Sequence, residues 1–203
     1  QNAIDNAGYL DDLSGFDVES LAKTYLVNEL AGNVGYLRLS STYLYIPYGQ
    51  ATIYAGPAEG FDSSFGTPVD GTDPEKHIVI DFAFYADCTA FKERVATLRA
   101  SFQNLIGDVL LGNADSAAAS LHSIAYYSAR IASSQAMNQM LWGLGESSDS
   151  TVASLSTYQA NVDAMAAWVR QRNAWLASAL AADDQRTVSD GVYQISEKPE
   201  RRN

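Results

Sequence analysis

From about residue 89 to residue 181 the apolar side chains recur at three- and four-residue spacing, a rhythm that fits helices and not strands. The spacing predicts three helices. The first spans residues 90–111 and places Phe91, Val95, Leu98, Phe102, Leu105, Ile106, Val109 and Leu110 on one face. The second spans residues 115–142, begins near Asp115, and carries Leu121, Ile124, Tyr127, Ile131, Met137 and Leu141, with His122 inside it. The third spans residues 152–181 and shows Leu155, Tyr158, Val162, Met165, Trp168, Val169, Trp175, Leu176 and Leu180. Residues 146–150, all Glu, Ser and Asp, connect the last two.

The N-terminal half reads differently. Residues 17–31 predict a helix with Asp17 as N-cap, an apolar face of Val18, Leu21, Ala22, Tyr25, Leu26 and Leu30, and Gly32-Asn33 as its stop. Tyr43-Leu44-Tyr45-Ile46 is rich in β-formers and closed by Pro47. Tyr48-Gly49-Gln50 reads as a turn, and the chain returns at residues 52–55, so residues 43–46 and 52–55 predict an antiparallel hairpin. Residues 67–75 are irregular, and Ile78-Val79-Ile80 is either a short strand or a buried extended segment. Beyond residue 182, Thr187-Val188 and residues 192–195 flank Ser189-Asp190-Gly191 as a hairpin or a single strand, before a charged tail. The expected class is α+β, mainly α: a helical unit over residues 1–182 with a small antiparallel hairpin, then a terminal strand or hairpin with its tail over residues 183–203.

A chain of 203 residues with 47% hydrophobic residues can bury one sizeable core. A net charge of −11 argues against nucleic acid or an anionic membrane as main partner, because both need a basic surface. No apolar run reaches the roughly 18 residues that a membrane span needs. The opening Gln1-Asn2-Ala3-Ile4-Asp5 has no initiator Met and no leader-like pattern, which fits a processed or trimmed piece. Cys88 stands alone and reads as a buried, inert thiol. His77 and His122 read as structural, so nucleophile–histidine arrangements have little support. Asp70-Gly71-Thr72-Asp73 reads as a solvated turn rather than a Ca²⁺ loop, since the closing Glu is missing. Tyr126, Tyr127, Trp142, Trp168 and Trp175 stand at helical spacing, which favours core packing over carbohydrate stacking. Trp168, Arg172, Trp175 and Leu176 share one helical face. Arg172 should therefore lay its stem on the core and pair its guanidinium with a carboxylate or helix-end carbonyls.

The loop Gly56-Pro57-Ala58-Glu59-Gly60-Phe61-Asp62-Ser63-Ser64-Phe65-Gly66 follows a short strand and plants two aromatics between flexible glycines. Strand, tight loop and acidic residue together are a way to present a carboxylate to a phosphate-bound metal. Here only Asp62 is present, with Glu59 beside it and Gly60 where a second Asp would be useful.

Three blocks in order resemble the spore coat protein H (CotH) kinase-like family. The first is Tyr25-Leu26-Val27-Asn28-Glu29-Leu30-Ala31-Gly32-Asn33 followed by Tyr43-Leu44-Tyr45; the second is the loop just quoted; the third is Tyr158-Gln159-Ala160-Asn161-Val162 with Trp168-Val169-Arg170-Gln171-Arg172-Asn173-Ala174-Trp175-Leu176. Together they cover roughly residues 9–180. The family's loop reads Pro-x-Trp-Asp-Phe-Asp-x-x-Phe-Gly. The resemblance implies a bacterial, secreted, cell-surface or spore-coat protein with an atypical protein-kinase-like fold that binds ATP with Mg²⁺ or Mn²⁺. It covers only the C-terminal lobe; the lysine-bearing N-terminal lobe has no counterpart in this chain.

Phosphoryl transfer needs one carboxylate to orient the attacking hydroxyl and another to hold the metal. The family positions for these are Gly35 and Gly60 here, and Ser40 or Ser41 replaces an expected Asn. The expected catalytic set is therefore empty, Asp62, Glu59 and Asn33 remain as nucleotide or metal candidates, and Asp62 alone is a weak metal ligand. The first reading is a degenerate, pseudokinase-like module that binds a protein partner or stabilises an extracellular or coat assembly, with no cofactor. The alternative is a portion of an active kinase using Mg²⁺ or Mn²⁺ with ATP, its N-terminal lobe missing. A third, a polysaccharide-associated module, requires an exposed row of aromatic rings.

Overall fold

The computed structural model describes residues 15–33, 43–66, 73–77, 89–113, 122–142 and 157–183. Four helices and one two-stranded antiparallel sheet make up the described part: α1 (Val18–Ala31), β1 (Leu44–Tyr45), β2 (Tyr54–Ala55), α2 (Thr89–Leu111), α3 (Ile124–Trp142) and α4 (Tyr158–Asp183). The described part is thus mostly helical with a small sheet.

Helix α1 starts where its cap dictates. Asp17 Oδ1 accepts the Ser20 N–H at 2.7 Å, satisfying one orphan amide of the first turn. Ser20 Oγ donates to Asp17 O at 2.8 Å and accepts the Ala55 N–H at 3.0 Å, which ties the helix start to β2. Phe16 forms a parallel bridge with Ile53, and the Asp17 N–H donates to Ile53 O at 2.8 Å. The hairpin register pairs Leu44 with Ala55 and Tyr45 with Tyr54. Its turn is closed by the Gln50 N–H donating to Pro47 O at 3.0 Å.

Ala22, Tyr25, Leu26 and Leu30 of α1 meet Phe91 and Val95 of α2 and Leu176 of α4 in the main core. The Tyr25 and Phe91 rings meet edge to face at 5.7 Å. Each of these large side chains contributes roughly 1.5–3 kcal/mol by leaving water. On the surface, Glu19 of α1 bonds Lys23 at 2.6 Å and Arg94 of α2, and these hydrogen bonds hold its carboxyl below the usual range.

The expected helices over 17–31 and 90–111 agree with α1 and α2 to within a residue. The other two start later than their periodicity suggests. Residues 122 and 123 form a turn, so no helix runs unbroken over 115–142, and His122 lies ahead of α3 rather than inside it. Ser123 sets the start by accepting the Tyr126 N–H on Oγ at 3.1 Å. Helix α4 begins at Tyr158 rather than residue 152, because Thr157 Oγ1 accepts the Ala160 N–H at 3.1 Å and takes the cap position. Helix α4 runs through Asp183, so the expected boundary at residue 182 falls within its last turn. Residues 78–88, which include Ile78-Val79-Ile80 and Cys88, and the expected terminal strand at 187–195 lie outside the described residues.

Helix α3 departs most from expectation. None of its residues is buried, and Met140 and Trp142 are 87% and 72% exposed. The expected core role of Trp142 is therefore incorrect: helical spacing marks a face that can be covered, and no described element covers this end. Trp168 and Leu176 are buried and Trp175 partly so.

Candidate functional site

The candidate site forms where the loop of residues 56–66 is stitched to the end of α1. Gly32 takes a left-handed conformation (φ 62°) and closes a Schellman motif. Its N–H donates to Glu29 O at 3.2 Å, and the Asn33 N–H donates to Asn28 O at 3.0 Å. This geometry turns the Asn33 side chain inward. Its Nδ2 donates to Asn28 Oδ1 at 2.9 Å and to Glu59 O at 3.5 Å, and the residue is fully buried. The Phe65 N–H donates to Ala31 O at 2.7 Å, so a free helix-end carbonyl holds the loop's other end.

Within the loop the Gly56-Pro57 bond is cis, and Gly60 is left-handed at φ 73°, ψ 44°. Gly60 leads into a single 3₁₀ turn over Phe61–Ser63 that carries Asp62 in an exposed position. Glu59 is exposed too, and its carboxylate accepts a hydrogen bond from the Tyr43 hydroxyl. That bond, with the charge behind it, pushes the Tyr43 phenol above its ordinary range. The three candidates therefore face different tasks: Asn33 is a buried brace, Glu59 holds a tyrosine, and Asp62 faces solvent. Among the described residues no group of three or more His, Cys, Asp or Glu side chains is gathered for a metal ion. Gly35, Ser40 and Ser41 lie outside the described residues.

Because Gly60 sits at positive φ, Gly60→Asp carries a backbone penalty. We expect it to lower unfolding stability by about 1–2 kcal/mol, at the lower end if the Asp side chain bonds locally. Urea unfolding checks this; an unchanged midpoint would mean that the loop tolerates a carboxylate at no cost.

A second polar cluster lies behind the first. Arg172 of α4 is fully buried. Its Nε donates to Glu29 O at 3.0 Å, and Nη2 donates to Glu29 O at 2.6 Å and to Glu29 Oε1 at 2.8 Å. Its Nη1 donates to Pro74 O at 3.0 Å and to Lys76 O. The guanidinium lies 5.0 Å from the Trp175 ring centre and 5.7 Å from that of Trp168. His77 Nδ1 sits 2.9 Å from the same Glu29 Oε1, and its ring meets Trp175 edge to face at 4.7 Å. Burial pulls the Arg172 pKa down from the ordinary arginine value, and the Glu29 charge opposes that. The guanidinium also satisfies the negative end of the α1 dipole. This cluster joins α1, residues 74–77 and α4.

The anticipated role of Arg172 is met in both forms, since Glu29 supplies both a carboxylate and a helix-end carbonyl. The identity of that partner was not anticipated. One signal pointed to it: Glu29 stands on the apolar face of α1, between Leu26 and Leu30, where an unpaired charge is too costly to keep. His122 stays at the surface, its Nδ1 3.1 Å from Tyr127 Oη. Nearby, an apolar cavity of about 310 Å³ lies between the end of α2 and the starts of α3 and α4, with Leu110, Ile131, Tyr158, Val162 and Met165 in its wall.

No protein-family model, no curated protein and no solved structure matches this chain.

Proposed function

We propose that this chain is a degenerate CotH-like, kinase-like lobe that works by binding a protein partner, in an extracellular or spore-coat assembly, and not by transferring phosphate. The observation that carries the reading is the divergence of the candidate ligands. Asn33 spends its amide on Asn28 and Glu59, the Glu59 carboxylate holds Tyr43, and Gly60 brings no side chain. Metal affinity rises with the number of charged oxygen ligands, and Asp62 offers one carboxylate. The same loop is braced to the end of α1 by the Phe65 N–H on Ala31 O and by the Asn33 amide on Glu59 O, which suits a display surface.

The alternative is a portion of an active, ATP- and metal-dependent kinase with its nucleotide-gripping lobe elsewhere. The exposure of Asp62 beside Glu59 favours it. Isothermal titration with MnATP separates the two. We expect binding no tighter than about millimolar, a free energy near −4 kcal/mol. A micromolar dissociation constant would overturn the degenerate reading and assign the metal to Asp62 and Glu59.

A further inference from the structure

We infer that the tyrosine row on one face of the β1–β2 hairpin, with Glu59 at its end, is a docking surface for an arginine-bearing basic peptide segment. This deepens the protein-binding reading above and rests on it.

The row is ordered by the hairpin itself. Tyr45 pairs with Tyr54 in register, so the two share a face, and their rings stack at 5.5 Å with 25° between planes. Tyr43 lies two residues before Tyr45 and shares that face. The Gly56 N–H donates to Tyr43 O at 2.9 Å and carries the ladder on to this residue. Both ends of the row are held by polar groups. Tyr54 Oη donates to Gln50 Oε1 at 3.3 Å, and the Tyr43 hydroxyl bonds the Glu59 carboxylate. Tyr43 and Tyr45 are 43% and 49% exposed, and Tyr48 at the turn is fully exposed. Tyrosines held in place present large contact area at low entropic cost to a partner.

Charge selects the partner. The chain carries −11; Glu59, beside Tyr43 at the end of the row, is exposed, and so is Asp62 three residues further along the same loop. Among the described residues neither carboxylate is in an ion pair with Lys or Arg. The complement is a cation that also favours an aromatic face, which is a guanidinium: its plane stacks on a ring while its fork meets a carboxylate. The chain's own interior uses the same combination, with Arg172 over Trp168 and Trp175 while it bonds Glu29. On the surface, Arg130 lies 5.7 Å from the Tyr126 ring centre and donates to that tyrosine's hydroxyl, a ring contact without a carboxylate. A nucleic acid or an anionic lipid surface has the wrong sign, and a neutral glycan would leave the carboxylates without a charged partner.

The test is fluorescence anisotropy of the full chain with a labelled hexa-arginine peptide at physiological salt. Binding on the order of 10–100 µM is expected, with no binding of hexaglutamate. Tyr45→Leu and Glu59→Gln should each weaken it by about three- to fivefold, the size of one exposed cation–π or ion contact. Glu93→Gln removes the same charge from an exposed position on α2 and should change it by less than about twofold. Equal effects of Glu93→Gln and Glu59→Gln would reduce the binding to diffuse acidic attraction and overturn the proposal. So would failure to bind hexa-arginine, or binding of chitohexaose that is lost in Tyr45→Leu, which would make the row a glycan platform. Loss of peptide binding with MnATP still millimolar or weaker sinks this inference alone. Micromolar MnATP binding sinks the underlying reading, whatever the peptide does.

Discussion

Arg172→Leu is expected to lower the unfolding free energy by about 3–5 kcal/mol, a large share of a typical domain's total. Removing the guanidinium takes its cationic partner from a fully buried Glu29 carboxylate and leaves it with His77. It also leaves Glu29 O, Pro74 O and Lys76 O without the donors that Arg172 supplies. Each buried acceptor left unpaired costs about 1–3 kcal/mol, and the carboxylate more. Arg172→Lys should fall between the wild type and Leu, because an ammonium keeps the charge but cannot reach four acceptors as a planar fork does. Adding Glu29→Leu to Arg172→Leu should recover part of the loss, since the buried carboxylate disappears with its guanidinium partner. A double-mutant cycle by urea unfolding measures that coupling directly. A single-variant loss below about 1 kcal/mol would mean that the guanidinium is solvated in the native protein.

The elements that were legible in the sequence are those whose signals are local. Asp17, the apolar face of α1 and Gly32-Asn33 lie within one stretch of chain, and each acts on its own neighbours. The starts of α3 and α4 were not legible. Ser123 and Thr157 become caps by accepting an amide three residues on, yet the helical rhythm reads through both without a break. Exposure along α3 was hidden for another reason. Met137 and Leu141 stand four residues apart, as on a packed face, yet both are exposed: burial depends on what lies opposite, and periodicity does not name it. The candidate site was half legible. A loop bearing Glu59 and Asp62 follows from composition. That Asn33 turns inward follows from the left-handed Gly32, and that Glu59 holds Tyr43 follows from the hairpin lying beside the loop. These are relations between segments, and they appear only once the segments are in place.

Gly66→Ala should destabilise the fold by about 2–5 kcal/mol through two separable effects. Gly66 has φ +77°, a conformation that costs an L residue about 1–2 kcal/mol by itself. A Cβ added there would also stand 2.5 Å from Trp168 Cδ1 and 2.9 Å from its Nε1. Trp168 has little room to yield. It is buried, the Phe65 ring meets it edge to face at 6.3 Å, and the Arg172 guanidinium lies over its own ring. Forcing a methyl into such a contact costs about a further 1–3 kcal/mol. Gly49 isolates the first effect: its φ is +78°, and nothing lies within 4 Å of an added Cβ. Gly49→Ala should therefore show only the backbone penalty of about 1–2 kcal/mol. The difference between the two variants in urea unfolding is the contribution of the Trp168 contact. Trp168→Leu in the Gly66→Ala background should shrink that difference, because the ring that is struck is gone. Equal losses for Gly49→Ala and Gly66→Ala would mean that the loop does not pack on Trp168, and the link from the candidate loop to α4 would fail with it.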